Sequence, residues 1–153
     1  MPDLDDTDRR LLALLQDDAA RSNQDLAAAA HVSPATCLRR VKRLVDEGYI
    51  TRRVALLAPD KLGPQLTAVV EVTLDRQGAE HLLAFQQRAV ADAGVQQCYR
   101  VSAGPDFVLI VGVADMAAYN LLVERLFTQD ANVRNVKSFF SVERAKFSTA
   151  IPV

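Results

Sequence analysis

The sequence predicts an α+β protein: an N-terminal helix-turn-helix domain, then a domain of β-α-β-β-α-β order, the ferredoxin-like split pattern. Three observations carry this. Residues 1–48 are rich in Leu, Ala, Asp and Arg and lack strand character. Residues 66–147 alternate β-rich runs with helical runs. Between them, Ala58-Pro59-Asp60-Lys61-Leu62-Gly63-Pro64 has the Pro/Gly punctuation of a connection. The expected layout is a helix-turn-helix domain over 1–54, a hinge strand and linker over 55–64, and a ferredoxin-like domain over 65–153.

The first helix starts at Asp5, which caps it, with Asp6 and Asp8 where the helix dipole favours negative charge. Leu11, Leu12, Leu14 and Leu15 form its apolar stripe, and it ends near Asp17 or Asp18. Ser22-Asn23-Gln24-Asp25 fits a capping box, followed by Leu26 and Ala27 to Ala30, a short helix thin enough for close approach by a neighbour. A third helix follows the break at His31-Val32: Ser33 caps it, Pro34 suits its first position, and Val32 and Cys37 are spaced as a hydrophobic staple. Cys37, Val41, Leu44 and Val45 recur on its expected buried face, Thr36, Arg39, Arg40 and Arg43 point the other way, and Gly48 ends it. Tyr49 to Leu56 reads as a strand.

In the second half, Leu66, Ala68, Val70, Val72 and Leu74 alternate with Thr67, Val69, Glu71 and Thr73 at strand period. Gly78 to Ala93 is helical, with Leu82, Leu83, Phe85 and Val90 on the expected apolar side. Val95 to Val101 and Phe107 to Val113 are strands joined by the turn Ser102-Ala103-Gly104-Pro105-Asp106. Met116 to Phe127 is a helix, and Val133 to Phe147 a last, long strand region. A four-stranded sheet with both helices on one face leaves the other partly bare, a natural place for a second subunit.

Composition narrows the class. The chain has 153 residues, half of them hydrophobic, which suits one domain or two small ones with a packed core. No apolar run approaches the roughly 20 residues that span a bilayer. The acidic start, Met1-Pro2-Asp3-Leu4-Asp5-Asp6, does not read as a targeting leader, and two distant cysteines form no disulfide framework or zinc cluster. The expected location is cytoplasmic. No metal or cofactor is expected: His31 and His81 lack partners at ligand spacing, and Cys37 reads as packing.

Net charge is −1, yet residues 34–53 hold Arg39, Arg40, Lys42, Arg43, Arg52 and Arg53 against Asp46 and Glu47. A local basic stripe is what phosphate contact requires. In a helix-turn-helix the N-terminal part of the second motif helix reaches base edges in the major groove. Here that part carries Ser33, Pro34, Ala35 and Thr36, then Arg39 and Arg40. Arginine makes a bidentate contact to guanine, so Arg39 or Arg40 is the expected base reader. Lys42, Arg43, Arg52 and Arg53 suit phosphates, which position without specifying. The alternative on these residues alone is a small helical bundle with a solvated arginine face.

A longer pattern is recognisable. Leu4-Asp5-x-x-Asp8-x-x-Leu11-Leu12-x-x-Leu15-Gln16, Arg21-Ser22-Asn23-x-x-Leu26-Ala27 and Val32-Ser33-Pro34-x-x-Cys37-Leu38-x-Arg40-Val41-x-Arg43-Leu44-x-x-x-Gly48-x-Ile50 are similar to the Lrp/AsnC family of feast/famine transcriptional regulators. The resemblance runs on through Ala55-Leu56-Leu57-x-Pro59-x-x-Leu62-Gly63, Asp115-Met116-x-x-Tyr119 and Val133. It implies a winged helix-turn-helix, a sensing domain that dimerises through its sheet, further assembly to tetramers or octamers, double-stranded DNA as partner, and an amino acid as effector bound between dimers.

A free amino acid presents an ammonium and a carboxylate, so its site wants a carboxylate and hydrogen-bond donors. The turn from Ser102 to Asp106 offers both: Gly104 exposes backbone and Asp106 meets an ammonium. The resemblance implies that this turn holds the effector, that Arg100 and Val101 flank it, and that Met116 and Ser138-Phe139-Phe140 approach from the same or neighbouring subunits. One departure stands out. The family's usual glycine three residues before the aspartate is Ala103 here, and Pro105 removes a backbone N–H. Two rival readings follow from the resemblance: a tetrapyrrole-processing enzyme on the same architecture, disfavoured because the second domain offers only His81, and a DNA-binding regulator that needs no ligand.

Overall fold

The computed structural model describes residues 4–63 and 65–153; Met1-Pro2-Asp3 of the acidic start and Pro64 of the linker lie outside the described residues. Two compact units result: residues up to Leu56 together with Lys146–Val153, and Leu57–Ala145. The division falls between Leu56 and Leu57, and the last eight residues, Lys146–Val153, group with the first unit.

In the first unit, α1 (Asp6–Asp17), α2 (Asn23–Ala30) and α3 (Pro34–Asp46) are set by their caps. Asp5 accepts from Asp8 N at 2.8 Å while the Asp8 side chain accepts from Asp5 N, a reciprocal capping box. Ser22 and Ser33 cap α2 and α3 by accepting from Asp25 N and Thr36 N. The tight turn after α2 rests on His31, which sits at φ 58. Its N–H reaches Ala28 O at 3.1 Å and Val32 N–H reaches Ala27 O at 3.0 Å, the paired bonds of a Schellman ending. Arg10 Nη1 donates to Ala30 O, placing a cation at the same negative helix end. Leu11, Leu12, Leu26, Ala27, Ala30, Cys37, Val41 and Leu44 form the core. The alanines let α2 pack close, and each fully buried leucine contributes about 1.5–3 kcal/mol.

Two expectations fail here. Val45 is 44% exposed, because Cys37, Val41 and Leu44 already complete the buried stripe at i, i+4 and i+7. Residues 49–56 form no ladder: an extended run needs a partner edge, and none is supplied among the described residues.

In the second unit a short 3₁₀ turn, Pro59–Lys61, precedes β1 (Leu66–Leu74), α4 (Ala79–Ala91), β2 (Val95–Arg100), β3 (Phe107–Val113), α5 (Met116–Val123) and β4 (Val133–Phe140). A π-helical turn, Glu124–Thr128, extends α5 and buries both Leu126 and Phe127. The strands pair antiparallel in the order β2-β3-β1-β4, as the split pattern predicts. One sheet face, with Ala68, Val70, Val72, Leu74, Phe107, Leu109 and Val111, packs on Leu82, Phe85 and Ala89 of α4 and Tyr119 and Leu122 of α5. Phe85 lies 4.9 Å from Phe107, centroid to centroid.

Leu83 and Val90, expected on the buried side of α4, are exposed, since the buried set runs Leu82, Phe85, Ala89. β4 stops at Phe140 rather than running to Phe147. Phe140 pairs with Ala68, and a last bond runs from Ser141 N to Thr67 O, next to the start of β1 at Leu66, where its template ends. Among the described residues no helix is long and apolar enough to cross a membrane, and no cluster of His, Cys, Asp and Glu could hold a metal.

Candidate nucleic-acid interface and effector turn

The basic residues of α3 divide into two sets. Arg40 Nη1 donates to Asp5 Oδ2 at 2.7 Å and to Asp8 Oδ1 at 2.9 Å, and Arg43 Nη2 donates to Asp8 Oδ2 at 2.5 Å. Asp8 is 1% exposed, the buried ionisable centre of this unit. Burial pushes its carboxyl up, but hydrogen bonds from Arg43 and Arg40 and from the Asp5 N–H outweigh burial and hold it below the usual 3.8. Asp5 is lowered by the Asp8 N–H and then by Arg40. These charge-assisted bonds tie the start of α1 to α3.

Arg39 makes none of these bonds and is exposed, one turn after the exposed Ala35. Thr36 sits one turn before Arg40, and its hydroxyl accepts from Ser33 Oγ at 2.9 Å. Asn23 Nδ2 donates to Pro34 O at 2.9 Å and fixes the start of α3 against α2. A cleft of about 190 Å³ is lined by Asp5, Arg39, Arg40 and Arg43. A larger groove of about 440 Å³ has an apolar wall of Leu38, Val41, Val45 and Ile50, with Lys42, Arg52 and Arg53 also lining it. Lys42 Nζ also reaches Asp46 at 2.6 Å, an exposed i,i+4 pair that holds it weakly. The structure thus brings Arg39, Arg40 and Arg43 together, and Lys42, Arg52 and Arg53 together. Arg39 and Arg40 are equivalent by sequence spacing alone, and the Asp5 and Asp8 carboxylates separate them.

The turn from Ser102 to Asp106 closes the β2–β3 hairpin. Val101 N donates to Asp106 O, and Asp106 N donates to Val72 O. Asp106 Oδ2 accepts from Leu74 N at 2.7 Å and from Gln77 Nε2 at 3.3 Å. The carboxylate therefore pins the end of β1 with one oxygen. Ala103 sits at φ 64 and Gly104 at φ 113. The first is a left-handed backbone at a residue with a Cβ, which costs roughly 1–2 kcal/mol relative to glycine's freedom. Ser102, Ala103, Gly104 and Arg100 are exposed.

One chain does not gather the remaining expected effector residues around this turn. Met116 opens α5, capped by Asp115, which accepts from Ala118 N. It follows the far end of β3, roughly 20 Å of strand from Asp106 at the usual rise. Along β4 the pleat splits the triplet. Ser138 and Phe140 lie on the helix-covered face, where the Tyr119 and Ser138 hydroxyls hydrogen-bond and Phe140 meets the Tyr119 ring edge-on at 5.0 Å. Phe139 lies on the opposite face, across from Val69, and is 55% exposed. Cys98 falls on the helix-covered side, where burial raises its thiol.

Comparison with known proteins matches this layout. Residues 4–51 match the winged helix-turn-helix DNA-binding family, and residues 67–151 the Lrp/AsnC ligand binding domain. The chain is 36% identical over 150 residues to the DNA-binding transcriptional activator DecR of Escherichia coli K12, covering 98% of this chain and 99% of DecR. It is 33% identical over 151 residues to the leucine-responsive regulatory protein of the same organism, covering 99% and 92%. Among solved structures, an AsnC family transcriptional regulator from Agrobacterium tumefaciens superposes with a TM-score of 0.91 at 34% identity, covering 97% of each chain. A transcriptional regulator from Neisseria meningitidis in complex with L-Met superposes at 0.90 with 28% identity, covering 98% and 97%. With both halves matched in order and near full-length relatives at this identity, the chain belongs to the Lrp/AsnC family of transcriptional regulators.

Proposed function

We propose that this regulator reads a specific DNA sequence with α3 and responds to an amino acid bound at the Ser102–Asp106 turn between protomers. The observation that carries the DNA half is the division of the arginines. Arg40 and Arg43 are committed to Asp5 and Asp8, and Arg39 stands exposed in the second turn of α3. In this reading Arg39 is the base reader, with Ser33, Pro34, Ala35 and Thr36 lining the approach to the groove. Lys42, Arg52 and Arg53 engage phosphates. Dimers form through the open sheet face and give the two half-sites a two-fold relation.

The effector half rests on Asp106 together with the matched ligand-binding domain. Asp106 Oδ2 is engaged by Leu74 N, which orients the carboxylate and leaves Oδ1 as an acceptor for an ammonium. Met116 and Phe139 join the site only from a neighbouring protomer, so binding and assembly are coupled. The complex of the meningococcal relative with L-Met supports an amino acid as the class. The named homologues are transcriptional regulators, which favours a binding protein over the tetrapyrrole enzyme.

Two titrations test this. Anisotropy with the chain's own upstream region should show tight binding that a scrambled duplex lacks; equal binding to both sinks the sequence-specific reading. A thermal-shift screen of the amino acids should give a stabilising ligand, about 2.7 kcal/mol at a hundred times its dissociation constant. Asp106→Asn, which keeps an oxygen for Leu74 but removes the charge, should abolish it. Ala103 and Pro105 favour one alternative, a regulator without a working sensor. Promoter binding with no shift for any amino acid selects that reading.

A further inference from the structure

The last turn of α1 meets a segment 135 positions away. Gln16 Nε2 donates to Ile151 O at 3.0 Å, and Ile151 N donates to Gln16 Oε1 at 2.8 Å. A primary amide carries one donor side and one acceptor side, so it pairs with both backbone groups of a single residue as a neighbouring strand would. Ser148 Oγ accepts from Ala150 N at 3.2 Å, a local turn that shapes the segment before Ile151. Lys146–Val153 accordingly belongs to the unit of α1, α2 and α3.

The covalent path gives this contact its meaning. The DNA-binding unit joins the sheet unit twice: through residues 56–57 and again through residues 145–146, which continue the chain beyond β4. A body hung on one flexible connection samples many orientations, and a second attachment removes many of them before binding. We propose that Lys146–Val153 is a strap, clipped to α1 by Gln16, that restricts the DNA-binding unit and so strengthens its hold on DNA. Both hydrogen bonds are solvent-exposed, so the clip opens readily and any change reaching β4 is transmitted to α1 along the chain. This rests on the DNA-binding reading and adds a regulated element to it.

The test uses the full chain and Gln16→Leu, which preserves helix propensity and bulk but removes both bonds. Amide exchange at Ile151, followed by NMR, should accelerate by about tenfold in Gln16→Leu, the loss expected for hydrogen bonds of this strength. Equal exchange in both proteins overturns the clip. Affinity for the upstream region should fall several-fold in Gln16→Leu and in a chain ending at Ala145. Combining the two changes should cost no more than the shortening alone. Unchanged affinity, or losses that add, overturns the strap. If the unaltered chain binds no DNA, the regulator reading fails, while Ile151 exchange still decides the clip.

Discussion

Arg43 and Asp8 stand 35 positions apart in the sequence and are bonded at 2.5 Å, Nη2 to Oδ2, across the α1–α3 interface. The contact makes the start of one helix the support of another. It also gives one carboxylate, buried against two arginines, a central place in the stability of the DNA-binding unit.

Asp8→Asn keeps the volume but removes the charge that both guanidiniums face. It should destabilise the unit by about 2 kcal/mol, less than the 3–5 kcal/mol for a wholly buried pair, because the arginines reach solvent. The pH dependence follows from the lowered carboxyl: its contribution is present above the usual 3.8 and is lost as pH falls through the folded value below that. Urea titrations of both proteins across acidic pH check this. The difference between them should shrink toward the low-pH end.

Arg39→Ala and Arg40→Ala should part company. Arg39→Ala should keep the melting temperature and lose discrimination at one base pair, about 1–3 kcal/mol between the preferred and the substituted site. Arg40→Ala should lower stability first, with any loss of affinity following from a displaced α3. Competition with single-base variants of the site, alongside melting curves, separates the two.

Ala103→Gly should stabilise the sheet unit. Relieving a left-handed alanine gains roughly 1–2 kcal/mol, offset by about 0.4–1 kcal/mol of extra freedom in the unfolded chain, so the net gain is about half to one kcal/mol. A rise in the denaturation midpoint checks it, and Ala103→Val should move the other way.

Phe139→Asp places a charge in the row Gln97, Ile110, Val69 and Phe139 that crosses the open face of the sheet. If dimers form there, sedimentation should show a monomer whose circular dichroism is unchanged. A dimer of undiminished strength would mean that assembly uses another surface.

Much of this was legible in the chain. The caps Asp5, Ser22 and Ser33 and the split β-α-β-β-α-β order are local signals, carried by side chains that act within three or four residues. What failed depended on partners. The 49–56 run has strand composition but no neighbouring edge among the described residues, and the strand expected to run to Phe147 stops at Phe140, where its template β1 ends. Val45, Leu83 and Val90 are apolar without being buried, since helical spacing says which residues share a face and not how wide the covered stripe is. The commitment of Arg40 had an unread signal: Asp5 and Asp8 sit at i,i+3 on one helix, and Arg40 and Arg43 at i,i+3 on another. Two such pairs of opposite charge can face each other across a helix contact, but only the packing shows that they do. The effector residues were read as one set, and the pleat that sends Phe139 away from Ser138 and Phe140 was already implicit in their adjacency.

The carboxylates on α1 also set how the protein answers to electrolyte. Of the six bases between residues 34 and 53, Arg40 and Arg43 are already neutralised within the fold, so in the proposed DNA-binding reading Arg39, Lys42, Arg52 and Arg53 are the ones left to displace condensed cations from a duplex. Each phosphate so neutralised contributes about −0.9 to the slope of log affinity against log salt, so this stretch accounts for a slope no steeper than about −3.6 per chain. Removing Asp8 would release Arg43 to compete while Asp5 still holds Arg40, and the complex would then become more sensitive to ionic strength as its scaffold became weaker.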